Sequence, residues 1–192
     1  ALYSTPAGKN TIVIVLADHG DGMGSHRMVT KQVSFYEEMT NVPFIIAGPG
    51  IHPRQKPVED LLTQPTIDLL PTLCELAGIP VPSSKPGISL APFLKGEKQK
   101  RQHPYAASEW HSEYEVTVSP GRMIRSPRYK YTHYLEGNGE ELYDMLKDKG
   151  ERRNLAHDPK YSKILAEHRA LLDDYIRRTQ DDYRSLKVEA DK

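Results

Sequence analysis

Asp18 and His19 stand side by side ahead of Gly20, and the next dozen positions add Asp21, His26, Arg27 and Lys31. A neighbouring carboxylate and imidazole offer an oxygen and a nitrogen to one metal ion, or an acid and a base to one proton transfer. The imidazole, guanidinium and ammonium groups that follow suit an anionic substrate, its charge shared between a metal and cationic side chains. A solvated charged loop is the plainer account of His26 and Arg27. Lys31 opens a stretch of helical character, where the helix dipole disfavours a cation. That raises the case for a functional role.

The element that must position this group is the apolar run Thr11-Ile-Val-Ile-Val-Leu-Ala17 just before it. Its β-branched content predicts a strand buried on both faces. In open α/β sheets ligands bind beyond the carboxyl ends of the strands, which is where Asp18 and His19 fall. A fully buried first strand needs neighbours on either side, and these are expected upstream. Downstream, the pattern predicts a short helix over 31–39 and a second buried strand over 42–47, stopped by Gly48-Pro49-Gly50. A short extended piece over 58–62 follows, then a helix over 65–77 closed by Gly78. Residues 83–100 form a Pro/Gly/Lys-rich linker with a helical turn near 90–94.

From Pro104 the runs become those of antiparallel strands, over 105–110, 117–125, 129–135 and 141–144. Glu136-Gly-Asn-Gly139 is a hairpin signal between the last two. Residues 159–184 predict an amphipathic helix with Ile164, Leu165, His168, Leu171, Leu172, Tyr175 and Ile176 on one face, begun by the pair Asp158-Pro159. The expected fold class is α/β in two parts, 1–100 and 101–192, the second an antiparallel sheet packed with a C-terminal helix.

Charge is balanced, 26 basic against 26 acidic residues, which argues against a general nucleic-acid or membrane-surface binder. No stretch reaches the roughly 18 apolar residues of a membrane span, so neither nucleic acid nor a transmembrane segment is expected. Cys74 is the single cysteine; no internal disulfide can form, and its helical setting predicts a buried structural thiol. Tyr129, Tyr131, Tyr134 and Tyr143 fit strand packing. Trp110, His111 and Glu113 follow a strand, where a surface loop with a half-buried tryptophan is the plainer account.

Several motifs resemble one family in order along nearly the whole chain. They are Thr11-Ile-Val-Ile-Val-Leu-Ala-Asp-His-Gly-Asp21, Gly24-Ser-His-Arg-Met-Val-Thr-Lys31, Phe35-Tyr-Glu-Glu38 and Val42-Pro-Phe-Ile-Ile-Ala-Gly-Pro-Gly50. Gln64-Pro-Thr-Ile-Asp-Leu-Leu-Pro-Thr-Leu-Cys-Glu-Leu-Ala-Gly-Ile79 continues the match. So do Arg122-Met-Ile-Arg-Ser-Pro-Arg-Tyr-Lys-Tyr131, Glu141-Leu-Tyr-Asp-Met-Leu-Lys-Asp148, Glu151 and Asn154-Leu155. Together they resemble the carboxyl-terminal portion of type I, formylglycine-dependent sulfatases of the alkaline phosphatase superfamily. The fold implied is the end of an alkaline phosphatase-like α/β domain followed by a small antiparallel sheet with its helix.

The resemblance implies that Asp18 and His19 bind a divalent cation, usually calcium, together with two aspartates of the upstream amino-terminal part. The imidazole taken alone points instead to manganese or zinc, because calcium prefers oxygen. Lys31 matches the lysine that contacts the sulfate and the leaving oxygen. His26 matches a loop histidine near the substrate, and His111 is a candidate sugar contact. Arg27 departs from the glycine often found at its position. The substrate implied is a sulfated small molecule or glycan.

Such enzymes make formylglycine from the Cys or Ser of a Cys/Ser-x-Pro/Ala-x-Arg motif. Cys74-Glu-Leu-Ala-Gly, Ser83-Ser-Lys-Pro and Ser119-Pro-Gly-Arg do not fit it. The nucleophile is therefore expected upstream, and this chain is expected to be inactive alone. Two other readings are a fragment of a phosphodiesterase or phosphonate monoester hydrolase of the same superfamily, and a non-catalytic structural module.

Overall fold

A computed structural model describes residues 2–29, 33–59, 61–84, 86–99, 102–111, 119–135 and 139–185. By contact the chain separates into one unit of Ala1–His19 with Val42–Pro104 and another of Gly20–Asn41 with Tyr105–Lys192. Residues 20–41, which the sequence pattern leaves in the first part, thus group with the second.

In the first unit, β1 (Val13–Leu16) pairs antiparallel with β2 (Phe44–Ala47), Val13 opposite Ala47 and Leu16 opposite Phe44. Both strands fall where their apolar runs predict them, but neither is buried on both faces. Val15 and Ile45, direct partners and so on one face, remain 50% and 57% exposed. Apolar periodicity reports that a face seeks cover; it does not say which segment supplies it. The segment 58–62 forms no strand among its described residues.

Helix α2 (Pro65–Ala77) begins and ends as predicted. Proline at its first turn needs no N–H partner, and Gly78 closes it in the left-handed region at φ 69°. Asp68, fully buried, ties the helix down: its carboxylate accepts the Gln64 and Ile88 N–H groups and lies 2.8 Å from His103 Nε2. Gly87 passes so close to Ile67 that a Cβ there would sit 2.1 Å from the Ile67 carbonyl. That carbonyl is the one Pro71 releases from the helix ladder. Cys74 is half-buried rather than fully enclosed. The turn α3 (Ala91–Leu94) lies where expected, its Leu94 carbonyl accepting the His52 N–H.

The second unit holds the antiparallel sheet predicted for it, in the order β3 (Ala106–Trp110), β4 (Gly121–Arg125), β5 (Tyr129–Tyr134) and β6 (Glu140–Asp144). The expected start of β4 at 117 and the hairpin residues 136–138 lie outside the described residues. Helix α4 (Ser162–Thr179) packs on this sheet; Asp158 accepts the Lys160 N–H to begin a short 3-10 turn leading into it. Ile124, Leu142 and Leu172 are fully buried between sheet and helix, with Tyr131, Leu155 and Leu165 around them. Each such side chain contributes roughly 1.5–3 kcal/mol of burial. His168 shares the apolar face and is satisfied there, 2.8 Å from the Ile164 carbonyl and 2.9 Å from Ser126 Oγ.

The described part of the helix predicted over 31–39, residues 33–39, is not helical throughout. Among the described residues only α1 (Glu37–Thr40) is helical, a single turn. Tyr36 is extended, at φ −64° and ψ 156°. The Phe35 carbonyl, which a helix would use internally, accepts instead from Lys130 of β5.

Candidate active site

β1 ends just before Asp18 and His19. The His19 N–H donates to Asp18 Oδ1 at 3.0 Å, and Asp18 Oδ2 lies 3.6 Å from His19 Nε2. Metal–ligand bonds of about 2.1–2.5 Å at right angles place neighbouring ligand atoms roughly 3.0–3.5 Å apart. The pair therefore fits adjacent corners of one ion's coordination shell. Asp18 is open to approach, its side chain 89% exposed. Calcium takes about six to eight oxygens, so this pair supplies only part of a shell.

In the second unit Gly20 lies on the backbone of α1. Its N–H donates to the Met39 carbonyl at 2.9 Å, and a Cβ on it would fall 1.7 Å from the Glu38 carbonyl oxygen. Glycine is required at this position by contact alone. The following loop folds tightly on itself: Gly24 N–H reaches Met28 O, Ser25 N–H reaches Gly22 O, and Met28 N–H reaches Ser25 O. Met28, only 4% exposed, anchors it. This tightness forces Met23, His26 and Arg27 to φ values of 46°, 50° and 63°, each costing roughly 1–2 kcal/mol for a side chain with a Cβ. The glycine often found at position 27 in the family resembled would hold this backbone at little cost.

His26 lies flat on Tyr36, ring centroids 3.7 Å apart and planes 1° from parallel. His26, Glu38 and Glu151 each bring a potential donor atom within 4.8 Å of the others. Both Glu151 oxygens are already engaged. One accepts the Glu37 N–H at 2.6 Å, and the other lies 2.8 Å from the Lys130 ammonium. Lys130 is fully buried, with Glu37 Oε1 and Glu151 Oε1 each at 2.8 Å and the Phe35 carbonyl at 2.7 Å. It donates one hydrogen bond, to the Phe35 carbonyl, and pairs by charge with the two carboxylates.

Burial sets the protonation equilibria around this cluster. It pushes the Glu151 carboxyl above the usual carboxylate range, against the pull of Lys130. It does the same to Glu141, which also faces the charge of Glu151 while accepting hydrogen bonds from Tyr143 and Tyr36. Burial also acts to raise Glu38. There the hydrogen bonds from its own N–H and the Ser25 hydroxyl, with His26 and Lys130 nearby, hold the carboxyl below its ordinary value.

Asp18 and His19 are thus brought together in one unit. His26 belongs to the other, in the company of Tyr36, Glu38 and Glu151. His111 is exposed at the end of β3 and faces a different neighbour, Asp181, whose carboxylate takes a two-pronged bond from Arg122. Lys31 and Glu113 lie outside the described residues. Lys130, Glu37, Glu38 and Glu151 carry no role in the sequence reading, although all four fall inside resembling motifs. Pairings across 95 and 114 residues leave no local spacing to recognise.

The fold is that of the carboxyl-terminal portion of an alkaline phosphatase-like protein. Residues 24–178 match the family described as N-sulphoglucosamine sulphohydrolase, C-terminal, and the chain belongs to the sulfatases. It is 78% identical over 191 residues to the Delta 4,5-hexuronate-2-O-sulfatase of Bacteroides thetaiotaomicron, covering 100% of this chain and 40% of that enzyme. A solved structure of a 2-O GAG sulfatase superposes at TM-score 0.94 with 78% identity, over 98% of this chain and 41% of that one. The phosphonate monoester hydrolase of Agrobacterium radiobacter gives TM-score 0.75 at 26% identity, over 92% and 37%. The chain thus spans about two fifths of the length of these relatives.

Proposed function

We propose that this chain is the part of a glycan sulfatase that supplies two metal ligands and the substrate-facing cations, acting within a longer protein. Asp18 and His19 hold a divalent cation, calcium, which when bound polarises the sulfate ester. Lys31 steadies the negative charge that grows on the bridging oxygen as the S–O bond breaks. His26 contacts the sulfate from the same loop, and His111 contacts the sugar. Formylglycine in the upstream part supplies the nucleophile, so the 192 residues alone turn nothing over. The substrate class is a glycan carrying a 2-O-sulfated uronate.

The observation that carries this reading is the Asp18–His19 pair, 3.6 Å between donor atoms, in a chain 78% identical to a hexuronate 2-O-sulfatase. The test compares four proteins: the full-length enzyme, the 192-residue chain, and the full-length Asp18→Ala and Lys31→Ala variants. The full-length enzyme is expected to release sulfate from a 2-O-sulfated unsaturated uronate disaccharide and to contain calcium. Each substitution is expected to lower kcat/KM by roughly 10²–10³. Turnover by the 192-residue chain would overturn the upstream nucleophile. A preference for phosphonate monoesters would replace the sulfatase reading with the other hydrolase of this superfamily.

A further inference from the structure

Within the second unit, three side chains of metal-ligand type meet from separate stretches of chain. His26 comes from the 25–27 turn, Glu38 from α1 and Glu151 from the turns after β6, and each brings a donor atom within 4.8 Å of the others. Neither ring nitrogen of His26 has a hydrogen-bond partner among the described residues; the ring is held by its stack on Tyr36. Glu151 Oε1 is buried and accepts no hydrogen bond. Its link to the Lys130 ammonium, 2.8 Å away, is one of charge, and the Glu151 side chain is only 1% exposed. His26 and Glu38 are half-buried, so the group is reached from solvent on their side.

The charge around this group is short on the positive side. Glu37, Glu38, Glu141 and Glu151 gather here against the cations Lys130 and Arg125. Burial, and then the charge of Glu151, pushes the Glu141 carboxyl up. Burial pushes Glu151 up as well, Glu37 adding to it against the pull of Lys130. Crowded carboxylates of this kind take up either a proton or a metal cation. An imidazole nitrogen with two carboxylate oxygens suits a first-row transition ion, whereas calcium prefers oxygen throughout. Each carboxylate oxygen has two lone pairs, so Glu38 keeps ligand capacity while it accepts from the Ser25 hydroxyl.

We propose that His26, Glu38 and Glu151 form a binding site for one divalent transition ion of the zinc class, which ties the 25–27 turn to α1 and to the turns after β6. Bonds near 2.1 Å require each side chain to close in by about an ångström, and the half-buried His26 and Glu38 have room to do so. A water completes the tetrahedral shell. The site uses neither Asp18 nor His19 and does not depend on the sulfatase reading.

The test uses the full-length enzyme, stripped by a chelator, returned to calcium and titrated with zinc by isothermal titration calorimetry. One zinc per chain is expected to bind in the micromolar range or tighter. Glu38→Gln is expected to weaken binding by more than about a hundredfold, beyond what an outer partner of a metal ligand is worth, with circular dichroism unchanged. His26→Ala is expected to do the same and serves if Glu38→Gln does not fold. Asp18→Ala is expected to keep the zinc. Cobalt(II) in place of zinc should give the strong visible absorption of a four-coordinate ion in the parent enzyme and lose it in Glu38→Gln. No zinc taken up at millimolar concentration would overturn the inference and leave the carboxylates balanced by protons. Zinc binding that survives either ligand substitution, or that is lost with Asp18→Ala, would overturn it too. None of these readouts involves sulfate release, so they stand or fall apart from the proposed activity.

Discussion

The two units solve the same packing problem to different degrees. The four-stranded sheet has a helix across one face, and Ile124, Leu142 and Leu172 are fully shielded there. The β1–β2 pair is as apolar in sequence, yet Val15 and Ile45 remain about half exposed. A two-stranded ribbon is marginal in water without a further layer. The sheet unit draws its order from its own side chains. The ribbon ends at the Asp18–His19 pair and has a partner strand but little cover. The polar chemistry divides the same way: Lys130 and Glu151 are sealed in, whereas Asp18 lies open.

Removing charge from the sealed region should have the largest effect. Lys130→Met leaves Glu37 and Glu151 facing each other in a buried site and is expected to cost about 3–5 kcal/mol, read as a fall in the urea midpoint. Next, Leu172→Ala should cost about 2–5 kcal/mol by opening a cavity. In the same chain Ile45→Thr should change stability by less than about 0.5 kcal/mol. Similar costs at Ile45 and Leu172 would break the contrast between the units.

A smaller effect distinguishes buried charge from buried bulk. Glu141 has its folded-state pKa raised by burial and by Glu151, so its protonated form favours folding. That contribution is complete below the unfolded value near 4.3 and is lost as pH rises through the folded one. Glu141→Gln is therefore expected to raise Tm at pH 7, with the gain fading below about pH 4. A gain that persists into acid would remove burial of charge as the cause. The smallest shift is expected from Arg27→Gly. It relieves a residue at φ 63° but admits more unfolded-state freedom, for a net stabilisation of under about 1 kcal/mol by chemical denaturation.

Local patterns carried most of the elements. Gly78 ends α2 and Asp158 opens the turn into α4 because caps act over three or four residues, a range that sequence displays directly. The strand runs of the sheet are legible for the same reason. Among its described residues the helix expected over 31–39 is reduced to α1, with the Phe35 carbonyl taken by Lys130 far along the chain. Of the candidate site, the side-by-side carboxylate and imidazole at a strand's end could be read from adjacency. The ion cluster beneath the His26 loop could not, since its members meet only after the sheet has formed. The strain at Arg27 likewise has no signature in residue type, apart from its contrast with the family's glycine.

Lys130 also makes the molecule measurable. A primary amine that donates to a carbonyl, pairs with two carboxylates and has no exposed surface is shielded from acylating reagents while the cluster is closed. Surface lysines such as Lys147 should react at once. Acylation of Lys130 should proceed only through openings that release residues 35–37 from β5. The slow appearance of label at that single amine, followed by mass spectrometry, would time how often the two chain segments part.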